Sequence, residues 1–230
     1  MPHNKYRNNS DHIRFVLSIL AAGIIVVAVI IAFINFTARL QGGELTNFDA
    51  EISNWFHSFR NNTLNPVVRF ITELGDVTAY VIIIPIIALL QYRSNKNWQH
   101  SIESMIILVS CFLLNVGLKF YFARARPDAS LHLVELSEHS FSYPSGHTMT
   151  ATAFYGFLIY LCVHYIRTSW IKISSIVFLL MIILSVGMSR IYLGAHYPTD
   201  VSAGFLVGLI WVLICVSILR FYQFRKLRHI

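Results

Sequence analysis

Three short stretches of this 230-residue chain put cations, histidines and one carboxylate at spacings suited to work on an oxyanion. In Lys-Phe-Tyr-Phe-Ala-Arg-Ala-Arg-Pro, Lys119 and Arg126 stand close to two helical turns apart, so both face one way if a helix runs on until Pro127 ends it. An arginine fork fits phosphate oxygens and a lysine supplies a compact charge. Taken alone, the pair reads more readily as two cations snorkelling to a membrane interface. In the second stretch, Pro144-Ser145-Gly146-His147 stands directly before an apolar run. A helix starting there presents free N–H groups and a positive dipole end to an anion. Ser145 is the expected cap, and Gly146 allows a ligand close to the backbone. The third stretch holds Ser189-Arg190, His196 and Asp200. Asp200 comes within reach of His196 if a helix begins near Pro198; a carboxylate on one imidazole nitrogen fixes the tautomer and frees the other nitrogen to attack. Each stretch alone has a plain structural explanation as a cap or interface charge. Together they supply a nucleophile, an acid, an orienting carboxylate and an anion site.

The elements that position these groups are apolar. Hydrophobic residues make up 56% of the chain and charged residues 13%, and the mean hydropathy is +0.60. Residues 13–36, 105–122, 170–188 and 201–221 are runs about long enough to cross a ~30 Å hydrocarbon core. Residues 66–92 and 148–166 are more mixed but still span-like. The expectation is an all-α integral membrane bundle of six transmembrane helices, forming a single domain over residues 1–230. The first run is longer than a signal-peptide core and lacks a small-residue cleavage site, so it reads as an anchor.

The net charge of +7 is explained by topology without any nucleic-acid partner. With the amino terminus inside, the inner segments carry Lys5, Arg7, Arg14, Arg93, Lys96, Arg167, Lys172, Arg220, Arg225, Lys226 and Arg228, with Asp11 and Glu103 as their only acids. That excess of cations puts both termini, including the tail 1–12, in the cytoplasm. All three polar stretches, within residues 119–200, then fall on the outer side. Ionisable groups at helix ends with no visible repeat argue against a transporter or a non-catalytic lipid-binding protein. In the first outer segment, residues 45–59, the spacing of Phe48, Ile52, Trp55 and Phe59 predicts one apolar helix face, lying in the interface plane or packed on other loops. Gly204 and Gly208 read as a close helix contact, and Cys111, Cys162 and Cys215 as small core residues.

The three stretches in this order resemble the type 2 phosphatidic acid phosphatase superfamily, whose site is shared with vanadium haloperoxidases and bacterial acid phosphatases. The family pattern is Lys-x6-Arg-Pro, Pro-Ser-Gly-His and Ser-Arg-x5-His-x3-Asp, and every position is matched from Lys119 to Asp200. The resemblance implies that His196 attacks phosphorus and forms a phosphohistidine, that Asp200 orients it, and that His147 protonates the leaving oxygen and then activates water. It implies that Lys119, Arg126, Arg190, Ser145 and Gly146 hold the phosphate oxygens, and that no metal or other cofactor is required. From residue types alone, a metal site built on the two histidines and the aspartate stays open. The implied protein is a multi-pass lipid phosphate phosphatase of the plasma membrane with an outward-facing site. Phosphatidylglycerol phosphate, phosphatidic acid and undecaprenyl diphosphate are its candidate substrates, and lipid phosphotransfer is the nearest alternative. Arg124, Glu73, Asp76, His132 and His139 carry lower weight, and His3, His12, His57, His100, His164 and His229 show no partner pattern.

Overall fold

In a computed structural model of the chain, residues 9–95, 98–136 and 140–228 are described. His3, Lys5, Arg7, Lys96, His139 and His229 lie outside the described residues, as do the side chains of Asp11, His12, Arg14, Lys226 and Arg228. The described residues form eight α-helices and one 3-10 turn, Ala129–Leu131, with no strand. In chain order the helices are α1 (Asn9–Gln41), α2 (Thr46–Ser58), α3 (Leu64–Glu73), α4 (Val77–Asn95), α5 (Gln99–Phe122), α6 (Gly146–Tyr165), α7 (Ser169–Tyr192) and α8 (Pro198–Arg228). The all-α class therefore agrees with the sequence.

Four helices are long and apolar enough to cross a membrane: Phe15–Gln41, Gln99–Phe122, Ser169–Tyr192 and Pro198–Arg225. They coincide with the four cleanest apolar runs. The mixed run 66–92 is a bent pair instead, Leu64–Glu73 and Val77–Arg93, meeting at 54° and adding a fifth span if it crosses as one unit. Asp76 makes the break locally stable, because its Oδ1 accepts the Val77 N–H at 2.7 Å and so caps α4. Gly75 lets the bend pack inward; a Cβ there would lie 2.5 Å from Val186 Cγ1.

The remaining expected span, 148–166, is α6, which is not among those four. His147, Thr148, Thr150 and Thr152 dilute its apolar character. Its surroundings explain why that is tolerated: α6 lies against α5, α7 and α8, and Ala151, Ala153, Phe154 and Phe157 are wholly enclosed. A helix surrounded by protein need not be uniformly apolar. Two buried clusters flank it. Tyr80, Phe154, Tyr155 and Val186 join α4, α6 and α7, while Ile107, Cys111, Met149, Phe157 and Val207 join α5, α6 and α8. Cys111 sits inside the second cluster, and Cys215 packs against it.

The glycine pair on α8 performs the packing read from its spacing. A Cβ on Gly204 would come 2.9 Å from the Ser145 carbonyl oxygen, and one on Gly208 would come 2.7 Å from that of Met149. The two helices therefore approach through glycine faces.

One local expectation is corrected. Helix α5 ends at Phe122, and Ala123 turns the chain with a left-handed φ of 46°, so Lys119 and Arg126 do not share a helix reaching Pro127. Arg126 belongs to the following irregular segment, where distant contacts set its direction. Phe48 and Trp55 of α2 and Phe59 at its C-cap are exposed, as one apolar face, while Asp49 of the same helix is buried. The apolar stripe faces outward, and the carboxylate faces the protein.

Gly208→Ala should destabilise the detergent-solubilised protein by about 1–3 kcal/mol through overpacking. Gly23→Ala, where no atom lies within 4 Å of the added carbon, should be neutral or stabilise by up to about 1 kcal/mol. Thermal midpoints compare the two; equal midpoints would contradict the close α6–α8 contact.

Candidate active site

Three helix ends and two irregular segments converge on one cavity. Lys119 comes from the last turn of α5, Gly146 and His147 from the first turn of α6, and Arg190 from the last turn of α7. Arg126 enters from the segment after α5, and His196 from the turn joining α7 to α8. These six residues line a single cavity of about 410 Å³. Its other walls include Val77, Val109 and Phe112, which are 63%, 48% and 53% exposed. One space thus has a cationic side and an apolar side continuous with the outer surface of α4 and α5.

The cations are short of negative partners. Ion pairs among the described residues involve Arg39, His100, Arg124 and His196; none reaches Lys119, Arg126 or Arg190. Arg126 is instead held by neutral acceptors, its Nε donating to the Ser140 carbonyl oxygen at 3.0 Å and hydroxyl at 2.8 Å, and its Nη1 to the Ala195 carbonyl oxygen at 2.8 Å. Arg190 is 4% exposed. Its Nη1 donates to Thr72 Oγ1 at 2.8 Å, and its Nε has no hydrogen-bond partner. Buried, uncompensated positive charge is costly unless an anion occupies the space.

The two nitrogens of His196 have different surroundings. Nδ1 lies 3.3 Å from Ser142 Oγ and 3.5 Å from Asp200 Oδ2. Nε2 lies 3.3 Å from Arg126 Nη1, on the cavity side. Burial first, then the charges of Arg126, Arg190 and Lys119, push the imidazole well below its ordinary pKa. It is therefore held neutral, with a lone pair available.

Helix α8 does begin at Pro198, bringing Asp200 beside His196 as the spacing predicted. The carboxylate is nevertheless gripped more firmly by other groups. Its Oδ1 accepts from Arg124 Nη1 at 2.6 Å, and its Oδ2 accepts from the Ser142 hydroxyl and from the Tyr197 N–H at 2.8 Å. Burial alone would lower the Arg124 pKa, but Asp200 and Asp49 more than offset it and hold it above the ordinary value.

Two sequence-selected residues stand behind the cavity wall. Asp200 is fully buried at the back of His196, and Ser145 is enclosed beneath the start of α6. Ser145 occupies the cap position, but its side chain makes no capping bond; its oxygen accepts from Thr148 Oγ1 at 3.0 Å. The partners that hold Asp200 are Arg124, given only low weight from the sequence, and Ser142, which the sequence reading did not select. An Arg-x-Arg repeat does not say which guanidinium meets a carboxylate, and no signal marked Ser142. Of the lower-weight residues, Asp76 lies on the cavity wall, while Glu73 and His132 line a separate cleft with Arg69 and Glu135. No three His, Cys, Asp or Glu side chains among the described residues gather closely enough to hold a metal ion.

Residues 101–224 match the sequence pattern described as the PAP2 superfamily. The chain is 33% identical over 186 residues to phosphatidylglycerophosphatase B of Bacillus subtilis, covering 80% of this chain and 89% of that protein. It is 28% identical over 174 residues to an undecaprenyl-diphosphatase of Sulfolobus acidocaldarius, covering 74% and 78%. Among solved structures, the transmembrane PAP2-type phosphatidylglycerolphosphate phosphatase from Bacillus subtilis superimposes with a TM-score of 0.77 at 31% identity, covering 84% of this chain and 94% of that one. The chain belongs to the PAP2 superfamily. It is a multi-pass membrane phosphatase of that family.

Because folding makes His196 harder to protonate, its contribution to stability is complete above the unfolded imidazole pKa. That contribution is lost as pH falls below roughly 6.5, by up to about 1.4 kcal/mol per pH unit. Thermal midpoints measured from pH 7 to 5 should fall less steeply for His196→Gln than for the unaltered protein. Parallel slopes would show that His196 is not the group responsible.

Proposed function

We propose that the protein hydrolyses the phosphate ester of a membrane lipid through a phosphohistidine on His196, at the outer face of the plasma membrane. The single observation that carries this reading is the two-sided cavity. Lys119, Arg126, Arg190, His147 and His196 share one space with Val77, Val109 and Phe112. A soluble phosphate ester has no use for such an apolar wall; a lipid can keep its tails there while its phosphate reaches the cations.

In the proposed reaction, His196 Nε2 donates its electron pair to phosphorus as the phosphorus–oxygen bond to the lipid breaks. The three cations and the backbone at Gly146 take up the charge developing on the non-bridging oxygens. His147 gives a proton to the departing oxygen, then removes one from the water that attacks the phosphohistidine. The phosphorus–nitrogen bond breaks, its electron pair returns to Nε2, and inorganic phosphate leaves. Asp200 and Ser142 keep Nδ1 protonated and oriented throughout. Each step uses groups supplied by the chain itself, and the proposed chemistry calls for no metal.

The topology consistent with this chemistry has six spans, counting α6 and the bent α3–α4 pair, with both termini cytoplasmic. The 20 residues of α6 extend about 30 Å, enough to cross the core. The exposed Phe48, Trp55 and Phe59 on α2 suit the outer interface. The similarity to phosphatidylglycerophosphatase B favours phosphatidylglycerol phosphate as substrate, with phosphatidic acid, another lipid phosphomonoester, as a further candidate. The likeness to an undecaprenyl-diphosphatase supports undecaprenyl diphosphate as the second reading.

Purified protein assayed with chelator present should release phosphate from at least one of these three lipids. His196→Ala should reduce turnover by at least about 10³-fold while the protein remains folded in detergent; undiminished turnover would remove His196 as nucleophile. Vanadate, which adopts the five-coordinate geometry of the transferring phosphorus, should inhibit competitively. Full activity at millimolar vanadate would contradict an anion site built from these cations.

A further inference from the structure

Behind His196, a second set of charged residues is organised around Arg124. Its guanidinium bridges two carboxylates: Nη1 donates to Asp200 Oδ1 at 2.6 Å, and Nη2 to Asp49 Oδ2 at 2.7 Å. Nη1 also reaches Thr199 Oγ1 at 2.8 Å. Asp49 belongs to α2, yet it caps the start of α8, accepting the Thr199 N–H at 2.9 Å and the Thr199 hydroxyl at 2.7 Å. Helix termini leave such N–H groups unpaired, and here a carboxylate from another helix satisfies one. Asp49 and Asp200 are both buried.

Arg124 does not line the cavity that holds Lys119, Arg126, Arg190 and His147; it lines an adjoining space on the α2 side, which meets that cavity at His196. Phosphate binding therefore does not account for it. Asp200, by contrast, depends on it. A fully buried carboxylate is unfavourable without a charged or strongly hydrogen-bonding partner, and Arg124 is the cation paired with it. If Arg124 is lost, Asp200 must be neutralised or re-oriented, and its alignment with His196 Nδ1 goes with it.

We propose that Arg124 and Asp49 are positioning residues for the hydrolysis: Asp49, carried on α2, seats Arg124 and the first turn of α8, and Arg124 holds Asp200 against His196. The apolar stripe of α2 faces away from this network, with Phe48, Trp55 and Phe59 exposed. The seating of α2 at the membrane surface is thereby linked to the alignment of the nucleophile through one carboxylate. This inference rests on the proposed hydrolysis; it adds Asp49 and α2, which none of the three sequence motifs includes, and gives a role to Arg124 at a variable position of the first.

The test compares Arg124→Gln, Arg124→Lys and Asp49→Asn in steady-state phosphate release, with vanadate inhibition measured alongside and folding checked by thermal melting. Arg124→Gln should lower kcat by about 10- to 100-fold, the scale of a misplaced catalytic group. KM and the vanadate inhibition constant should change by less than about threefold, because Arg124 touches neither lipid nor phosphate. Arg124→Lys should recover part of kcat by keeping a cation beside Asp200. Asp49→Asn should also lower kcat, and the double variant Arg124→Gln/Asp49→Asn should be no slower than Arg124→Gln alone, since both act through one contact. Unchanged kcat in a folded Arg124→Gln protein overturns the proposal. So does a KM and vanadate constant rising in step with the loss, which makes Arg124 a phosphate ligand. Multiplicative losses in the double variant remove Asp49 from the relay. If Arg124→Gln fails to fold, Arg124→Lys and Asp49→Asn decide the same question through their kcat-to-KM split. Phosphate release by the unaltered protein and its loss in His196→Ala establish the reaction separately, so the relay can fail while the hydrolysis stands.

Discussion

Positive charge concentrated in a buried cavity without matching carboxylates organises this molecule. Lys119, Arg126 and Arg190 share the space, and no ion pair among the described residues includes any of the three. Arg190 shows the cost most directly, with one nitrogen bonded to Thr72 and another unpartnered while almost no surface is exposed. Such an arrangement is unfavourable in isolation and becomes favourable when an anion with several acceptor oxygens arrives. The same cations, after burial itself, keep His196 unprotonated. One electrostatic condition therefore serves both the anion and the nucleophile.

The carboxylate beside His196 is kept from cancelling that charge by its other partners. Asp200 is taken up by Arg124, the Ser142 hydroxyl and the Tyr197 N–H. It supports the imidazole from behind and makes no ion pair with Lys119, Arg126 or Arg190. Two networks of opposite balance thus meet at a single ring, cationic at Nε2 and anionic at Nδ1. A neutral imidazole with one nitrogen anchored is the product of both.

The bilayer imposes the complementary constraint on the exterior. Helices α1, α5, α7 and α8 were legible as long apolar runs because a surface facing hydrocarbon must be apolar along its length. Helix α6 was legible only as a mixed run, since protein surrounds it and polar residues there are satisfied internally. Thr150 and Thr152, for example, donate their hydroxyls to carbonyl oxygens one turn back. The bend at Gly75 and Asp76 was hidden for a related reason: the hydropathy of residues 66–92 carries no record of a packing contact with Val186 on α7.

Residue types and local spacing by themselves determined the all-helical membrane class, the principal apolar spans, the glycine contact of α8 and the identity of six of the residues that line the cavity. Those properties are written within single helices or short motifs. Only the tertiary structure decided that α5 stops at Phe122, that Ser145 is hidden, and that Arg124 faces a carboxylate while Arg126 faces the cavity. The contacts of the Arg124 and Asp49 network join residues 75 to 150 positions apart, as from Asp49 to Arg124 and Thr199. Local periodicity describes the surface of one helix. Which cation meets which anion depends on where several helices end relative to one another, and that is established only when they pack.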